Sequence, residues 1–133
     1  GYLRHELGSR IDLRYTPELQ FFVDDSIVRG TTCRQITNLL REAGAKEVHI
    51  RVSAPPFIAP CYFGTDIPSS DQLIASGRTI EQIRQIIGAD SLAYLNIERL
   101  KELSEGLPIC TACFTGKYPV DPPTEDIRGE STK

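Results

Sequence analysis

The chain has 133 residues, of which 40% are hydrophobic and 25% are charged, and its formal net charge at pH 7 is -3. These values predict one globular domain with a core of its own. They exclude a broad basic surface, so nucleic acid is an unfavoured partner. No apolar run reaches the roughly eighteen residues that span a membrane, and nothing resembles a secretory signal. We therefore expect a cytoplasmic protein with no membrane contact.

Residues 1 to 20 form a lead-in to the rest of the chain. Leu3, Leu7 and Ile11 recur at helical spacing, which predicts the end of a helix followed by a linker. The chain contains no methionine and begins at Gly1. We therefore expect a piece of a longer protein, or a chain whose ends were processed or engineered.

The next stretch predicts a strand, a loop and a helix. Residues 19 to 23 are apolar except for one glutamine, which predicts a short buried strand ending in Asp24 and Asp25. Residues 33 to 43 carry apolar side chains at helical spacing, and Gly44 is the expected stop. The loop between them contains the small and hydroxyl-bearing residues Ser26, Gly30, Thr31 and Thr32.

This arrangement favours a site for a phosphorylated ribose. The first amides of a helix have no partner inside it, and the helix dipole favours a phosphate there. Carboxylates repel a phosphate, so Asp24 and Asp25 are expected to serve sugar hydroxyls or a magnesium ion. Adjacent strand residues point to opposite faces, so the two acids have different roles. The alternative is an ordinary strand-to-helix turn with solvated acids.

Further downstream, two more strands are expected. Residues 47 to 53 alternate, with Val48, Ile50 and Val52 on the apolar face, and residues 91 to 95 predict a third strand. A strand, helix and strand joined by one crossover predicts parallel pairing with a right-handed connection. The expected fold class is α/β, with a short parallel sheet and flanking helices.

Three capping signals predict further helices. Ser69 and Thr79 each begin a Ser/Thr-x-x-Gln pattern, which predicts helices over residues 73 to 76 and 83 to 87. Asn96 is expected to cap a last helix with apolar residues on one face.

The chain has four cysteines, and two of them form the pair Cys110-x-x-Cys113. This spacing lets both thiolates bind one metal centre, but zinc, an iron–sulfur cluster and a redox dithiol all use it. Cys33 lies in the first turn of the predicted helix, where the helix N-terminus would lower its thiol pKa and make it reactive. His49 is expected to be exposed or partly satisfied on its strand, not a ligand or base.

The string from Val23 to Thr32 resembles the phosphoribosyl-pyrophosphate (PRPP) signature of type I phosphoribosyltransferases. In this form it is similar to the glutamine PRPP amidotransferase family. The likeness continues in family order through the strings at 41–48, 54–56, 73–75, 86–90 and 113–119. It implies a partial type I phosphoribosyltransferase (Rossmann-like) domain over residues 21 to 120. The composition of residues 121 to 133, rich in Pro, Asp, Glu and Thr, predicts a disordered tail.

The resemblance also implies a site and a reaction. Asp24 and Asp25 would hold the ribose hydroxyls and their Mg²⁺, and the loop that follows would cradle the 5-phosphate of PRPP. The phosphate-cradling residues are Ser26, Ile27, Val28, Arg29, Gly30, Thr31 and Thr32. Family members transfer ammonia from glutamine to PRPP, giving phosphoribosylamine and pyrophosphate at the start of purine synthesis. Purine nucleotides share the ribose phosphate and would use the same pocket.

The same resemblance implies a structural 4Fe-4S cluster held by Cys61, Cys110 and Cys113. The family's fourth ligand lies upstream of the PRPP string, and Cys33 stands where the family usually has serine. The glutaminase part and the upstream catalytic loops are not recognised in these residues. We therefore expect ligand binding without amidotransferase turnover by this chain alone.

Residues 1 to 30 carry a second resemblance, to ribosome-binding factor A, a small KH-like protein. Its carrying residues include the strings 1–4, 13–19 and 24–27. The alternative interpretation is therefore a ribosome-assembly, RNA-binding fragment or an engineered chimera. A third interpretation is an iron–sulfur or zinc scaffold without a ligand site. Whether the chain forms a homo-oligomer is left open.

Overall fold

The computed structural model describes residues 19–64, 67 and 69–122. The strands are β1 (Leu19–Asp24), β2 (Glu47–Val52) and β3 (Ser91–Tyr94). They form one parallel sheet in the order β1-β2-β3. The helices are α1 (Thr31–Glu42), α2 (Ile80–Ile87), α3 (Ile97–Leu103) and the short α4 (Ala112–Thr115), with a 3-10 turn at Ser70–Gln72. The predicted α/β class, with a short parallel sheet and flanking helices, is confirmed.

The main core lies against the central strand. On β2, Val48 and Ile50 are 0% exposed and Val52 is 4% exposed. Ile83 and Ile87 from α2 belong to the same buried cluster. A strand with neighbours on both edges and a helix over one face loses most water contact on that face, so its alternating apolar residues form the core. The predicted apolar face of β2 is confirmed.

Strand β1 is less buried than expected. Leu19, Phe21 and Val23 are 45%, 63% and 70% exposed, so the prediction of a buried strand is wrong. An apolar run does not show which of its two faces the fold will cover. In the described part of the chain, β1 is an edge strand and this face is open. The ring of Phe21 stacks on His49 with ring centroids 5.1 Å apart.

Two of the predicted helix caps are confirmed. The Thr79 hydroxyl accepts a hydrogen bond from the Gln82 amide, and the Gln82 side chain accepts one from the Thr79 amide. This reciprocal pair is the capping box that the sequence pattern predicts. The Asn96 side chain accepts from the Glu98 amide at 2.7 Å, at the start of α3.

The helix predicted over residues 73 to 76 is wrong. The Ser69 hydroxyl donates to the Asp71 carboxylate and makes no cap bond to the backbone. Leu73 takes an extended backbone (φ -82, ψ 121) and is 1% exposed. The next residue, Ile74, donates its amide to the carbonyl of Val28 at 2.8 Å. Burial against the β1–α1 loop therefore prevails over the local capping pattern.

A second, smaller core contains Phe57, Ile67 and Leu73. Phe114 packs against this core, with its ring centroid 4.8 Å from that of Phe57. The carbonyl of Cys113 accepts from the amides of residues 58 and 59, which ties α4 to the segment after β2.

Two predicted segments lie outside the described residues. They are the lead-in helix within residues 1 to 20, most of which is not described, and the tail from residue 123 onward. The domain boundaries at these ends stay predictions. Among the described helices, none is long and apolar enough to cross a membrane.

Candidate functional site

The loop between β1 and α1 surrounds a cavity of about 370 Å³. The lining residues are Asp24, Ser26, Ile27, Val28, Arg29, Gly30, Thr31, Thr32 and Cys33. Most of the residues named from the sequence thus lie around one space. Asp25, which is exposed, is not among the lining residues.

The helix end at this cavity has unsatisfied amides. Gly30 precedes α1 with φ 78, and no side chain of the described residues caps the helix. The first helical bond runs from the Arg34 amide to the Gly30 carbonyl at 3.0 Å. The amides of residues 31 to 33 therefore have no acceptor within the helix, and the first turn contains no acidic residue. Such an end attracts an anion through both its amides and its dipole.

The loop is held from behind by the core. Ile27 is 2% exposed, and the Val28 carbonyl accepts the Ile74 amide. A side-chain carbon placed on Gly30 would lie 2.3 Å from Cδ1 of Ile74 and 3.5 Å from Cγ2 of Ile87. Only glycine fits both the left-handed backbone and this close approach. Contacts with the core therefore fix the backbone of the loop.

The two carboxylates occupy different environments, as their alternation predicts. Asp24 is half-buried: Oδ1 accepts the Asp25 amide at 3.0 Å, and Oδ2 accepts the Cys33 thiol at 3.1 Å. The Asp25 side chain is exposed to solvent beside the loop.

The prediction of a reactive Cys33 is wrong. Its side chain is 2% exposed, and the thiol donates to Asp24. Burial, and then the hydrogen bond to Asp24 and the charge of that carboxylate, raises the pKa of Cys33 to about 12. The helix dipole would favour the thiolate, but desolvation and an adjacent anion both favour the neutral thiol.

Sequence reasoning did not identify Tyr94, at the carboxyl end of β3. Its hydroxyl oxygen is buried and has no hydrogen-bond partner in the described part of the chain. Burial, and then the nearby Cys33, raises the pKa of Tyr94 to about 12. Tyr94 pairs with Val52, which pairs with Asp24, so the three residues form one row across the sheet. The signal that could have identified Tyr94 from the sequence was the expected parallel pairing of the three strands, which brings their carboxyl ends together.

The other three cysteines do not line the cavity. Cys61 and Cys113 pack against the second core, and Cys110 is exposed. Burial raises the pKa of Cys113, with further increases from the charges of Cys61 and Cys110. Among the described residues, no group of three or more side chains has the geometry to hold a metal ion. Cys33 belongs to the main core instead.

His49 is satisfied on the sheet surface, as predicted. Its Nδ1 lies 2.9 Å from the Ser91 hydroxyl and its Nε2 lies 3.1 Å from Glu47. The ring of Phe21 stacks on the same imidazole.

Comparisons with known proteins agree on one family. The chain is 57% identical over 102 residues to the chloroplastic amidophosphoribosyltransferase of Glycine max, which covers 75% of this chain and 18% of that protein. A solved glutamine PRPP amidotransferase from B. subtilis, complexed with ADP and GMP, matches with a TM-score of 0.71 and 49% identity. It covers 79% of this chain and 24% of the solved one. No protein-family model matches the chain.

A second solved structure, described as the allosteric regulatory enzyme of purine biosynthesis, is 48% identical with a TM-score of 0.71. This match also covers 79% of this chain and 24% of the solved one. The chain thus spans about a fifth to a quarter of the relatives it matches. The resemblance to the amidotransferases and the phosphoribosyltransferase-like fold are confirmed. The resemblance of residues 1 to 30 to ribosome-binding factor A finds no support in these matches.

Proposed function

Because about three quarters of the chain is homologous to amidophosphoribosyltransferases, we propose that its β1–α1 loop binds the ribose 5-phosphate part of PRPP. The observation that carries this proposal is the cavity at the start of α1. There, helix amides without a side-chain cap meet the half-buried carboxylate of Asp24. A small molecule that carries both an anionic group and several hydroxyls would satisfy both ends of this cavity: the anion would bind the helix amides, and the hydroxyls would donate to Asp24.

In the proposed complex, the 5-phosphate lies at the amides of residues 26 to 32. The exposed hydroxyls of Thr31 and Thr32 add donors at the same place. Asp24 and Asp25 accept hydrogen bonds from the ribose hydroxyls. Purine nucleotides carry the same ribose phosphate and would compete for the loop. The ADP and GMP bound to the B. subtilis relative support this part of the proposal.

The acidic pair also fits Mg²⁺. This ion usually takes one or two protein carboxylates and completes its shell with water and substrate phosphates. Asp24 and Asp25 would hold it, and two carboxylates suffice although the described residues include no larger metal-holding group. When bound, Mg²⁺ would stabilise the negative charge of the departing pyrophosphate.

The reaction proposed for the longer protein is transfer of glutamine-derived ammonia to carbon one of PRPP. Loss of pyrophosphate leaves positive charge on the ribose ring, so holding the ribose and phosphate in line contributes more than a proton-transferring side chain. The loop supplies this positioning. For the 133 residues alone, we propose binding without turnover.

A 4Fe-4S cluster at Cys61, Cys110 and Cys113 is a second part of the proposal. Cys61, Cys110 and Cys113 are free thiols, the donor type that binds such a cluster. The described residues include no group of three side chains placed to hold a metal ion, so the proposed cluster requires a rearrangement of these thiols and a fourth ligand. Iron and acid-labile sulfide analysis of protein purified without oxygen tests this part. Stoichiometric iron that Cys113→Ser removes supports the cluster, and its absence contradicts it.

The main proposal is tested by isothermal titration of the pure protein with Mg-PRPP and with GMP. We expect saturable binding of both ligands, and weakening of about tenfold or more by Asp25→Asn, because a hydrogen bond to a charged group contributes about 1.5 to 3 kcal/mol. Asp121→Asn is the matched control, since Asp121 is an exposed acid like Asp25 but does not adjoin the β1–α1 loop in the sequence. A folded sample that binds neither ligand, or equal binding by Asp25→Asn, would refute the proposal.

A further inference from the structure

The carboxyl ends of the three strands place three residues in one row, and of these only Asp24 lines the cavity. Asp24, Val52 and Tyr94 are successive register partners at the carboxyl end of the sheet. Val52 is 4% exposed and belongs to the main core, as does Cys33. The carboxylate of Asp24 therefore enters the cavity from the edge of a packed core and not from a solvated loop.

Both oxygens of this carboxylate are held by the protein. Oδ1 accepts the Asp25 amide, and Oδ2 accepts the Cys33 thiol at 3.1 Å. Cys33 is itself rigid, because its carbonyl accepts the Thr37 hydroxyl at 2.9 Å and its side chain is 2% exposed. Two bonds on two oxygens fix the rotation of the Asp24 side chain as well as its position.

We propose that Cys33 is a positioning residue, whose buried thiol donates a hydrogen bond that holds the Asp24 carboxylate in the orientation that ribose hydroxyls and Mg²⁺ require. The proposal rests on the function proposed above and assigns it a further residue. Cys33 does not contact the ligand in this role. It acts through Asp24, and it requires the protonated thiol.

The geometry makes the Cys33 thiol the donor of this bond. Its side chain is 2% exposed, and Sγ lies 3.1 Å from Oδ2 of Asp24, a carboxylate oxygen that accepts. A serine at this position retains an O–H donor of similar size. An alanine removes the donor and leaves one oxygen of Asp24 without its protein partner.

The first test measures the contact itself, without ligand. The S–H stretching band of Cys33 is identified in infrared difference spectra as the band that Cys33→Ser removes. We expect Asp24→Asn to move this band to the frequency of a weaker hydrogen bond. An unchanged band in Asp24→Asn overturns the proposal, because the thiol would then not be bonded to the carboxylate.

The second test measures the consequence by titration with Mg-PRPP. We expect Cys33→Ala to weaken binding about five- to tenfold, and Cys33→Ser to restore it to within about threefold of the wild type. In an Asp24→Asn background, Cys33→Ala should have no further effect, because the thiol acts through that carboxylate. A purely structural role predicts the same loss in both backgrounds, and that result overturns the proposal.

The control is Tyr94→Phe, which removes a buried hydroxyl near Cys33 that has no partner in the described part of the chain. It disturbs the same region without touching the thiol–carboxylate bond, so we expect unchanged affinity. If the wild type does not bind Mg-PRPP, the proposed function fails, while the infrared band still decides whether the thiol holds Asp24. If the wild type binds and Cys33→Ala binds equally well, the positioning role alone fails.

Discussion

Replacing Gly30 with alanine adds only one methyl group, but it should destabilise the protein strongly. Gly30 has φ 78, and a left-handed backbone costs other residues about 1 to 2 kcal/mol. The added carbon would also lie 2.3 Å from Cδ1 of Ile74, inside the packed core. Overpacking of this kind costs about 1 to 3 kcal/mol. We therefore expect the free energy of unfolding to fall by about 2 to 5 kcal/mol.

The matched control is Gly88→Ala. Gly88 has φ 74, nearly the same backbone, but its added carbon would meet only Cγ2 of Thr37 at an ordinary 3.7 Å. We expect a loss of about 1 to 2 kcal/mol from the backbone alone. Urea unfolding followed by far-UV circular dichroism measures both variants, since the chain contains no tryptophan to report by fluorescence.

A double variant separates the clash from the backbone strain. Ile74→Val removes Cδ1, the atom that the new carbon would meet, and by itself costs about 0.5 to 1.5 kcal/mol. Gly30→Ala combined with Ile74→Val should therefore lose less than the two single variants together. Equal losses for Gly30→Ala and Gly88→Ala, or strict additivity in the double variant, would refute the close-approach argument.

Three other predictions concern pH, capping and thiol chemistry. The hydrogen bond from the Val48 amide, and then the charge of Arg41, hold the pKa of Asp90 below its usual 3.8. The stability that the Asp90 carboxylate contributes is therefore complete above pH 3.8, and it is lost as the pH falls through the lower pKa of the folded state. Acid unfolding curves should show this loss below about pH 4, and Asp90→Asn should flatten it. Thr79→Ala should lower the free energy of unfolding in urea by about 1 kcal/mol, because it removes the capping box. Ser69→Ala removes no cap bond and should change that free energy by less than about 0.5 kcal/mol. Mass spectrometry after iodoacetamide treatment at pH 8 should find exposed Cys110 modified and Cys33 unmodified until the protein unfolds; early modification of Cys33 would contradict its burial.

The alternation of β2, the cap at Thr79 and the strand–loop–helix order around Gly30 were predictable from the sequence alone. Each depends on residues within a few positions of one another, so local geometry and local hydrogen bonds suffice to specify it. The same local order places Asp24 and the residues of the β1–α1 loop around one cavity. Their roles toward a ligand stay a prediction.

Tertiary packing decided the rest. The sequence shows that Phe21 and Val23 are apolar, but only the strand order leaves their face of β1 exposed. Residue 73 follows a capping pattern, yet burial against Val28 and its neighbours outweighs a helix turn that contributes little by itself. Cys33 stands at a helix start that would favour a thiolate, and the core around it keeps the thiol protonated. Charge and burial depend on residues distant in sequence, and only the folded chain brings these together.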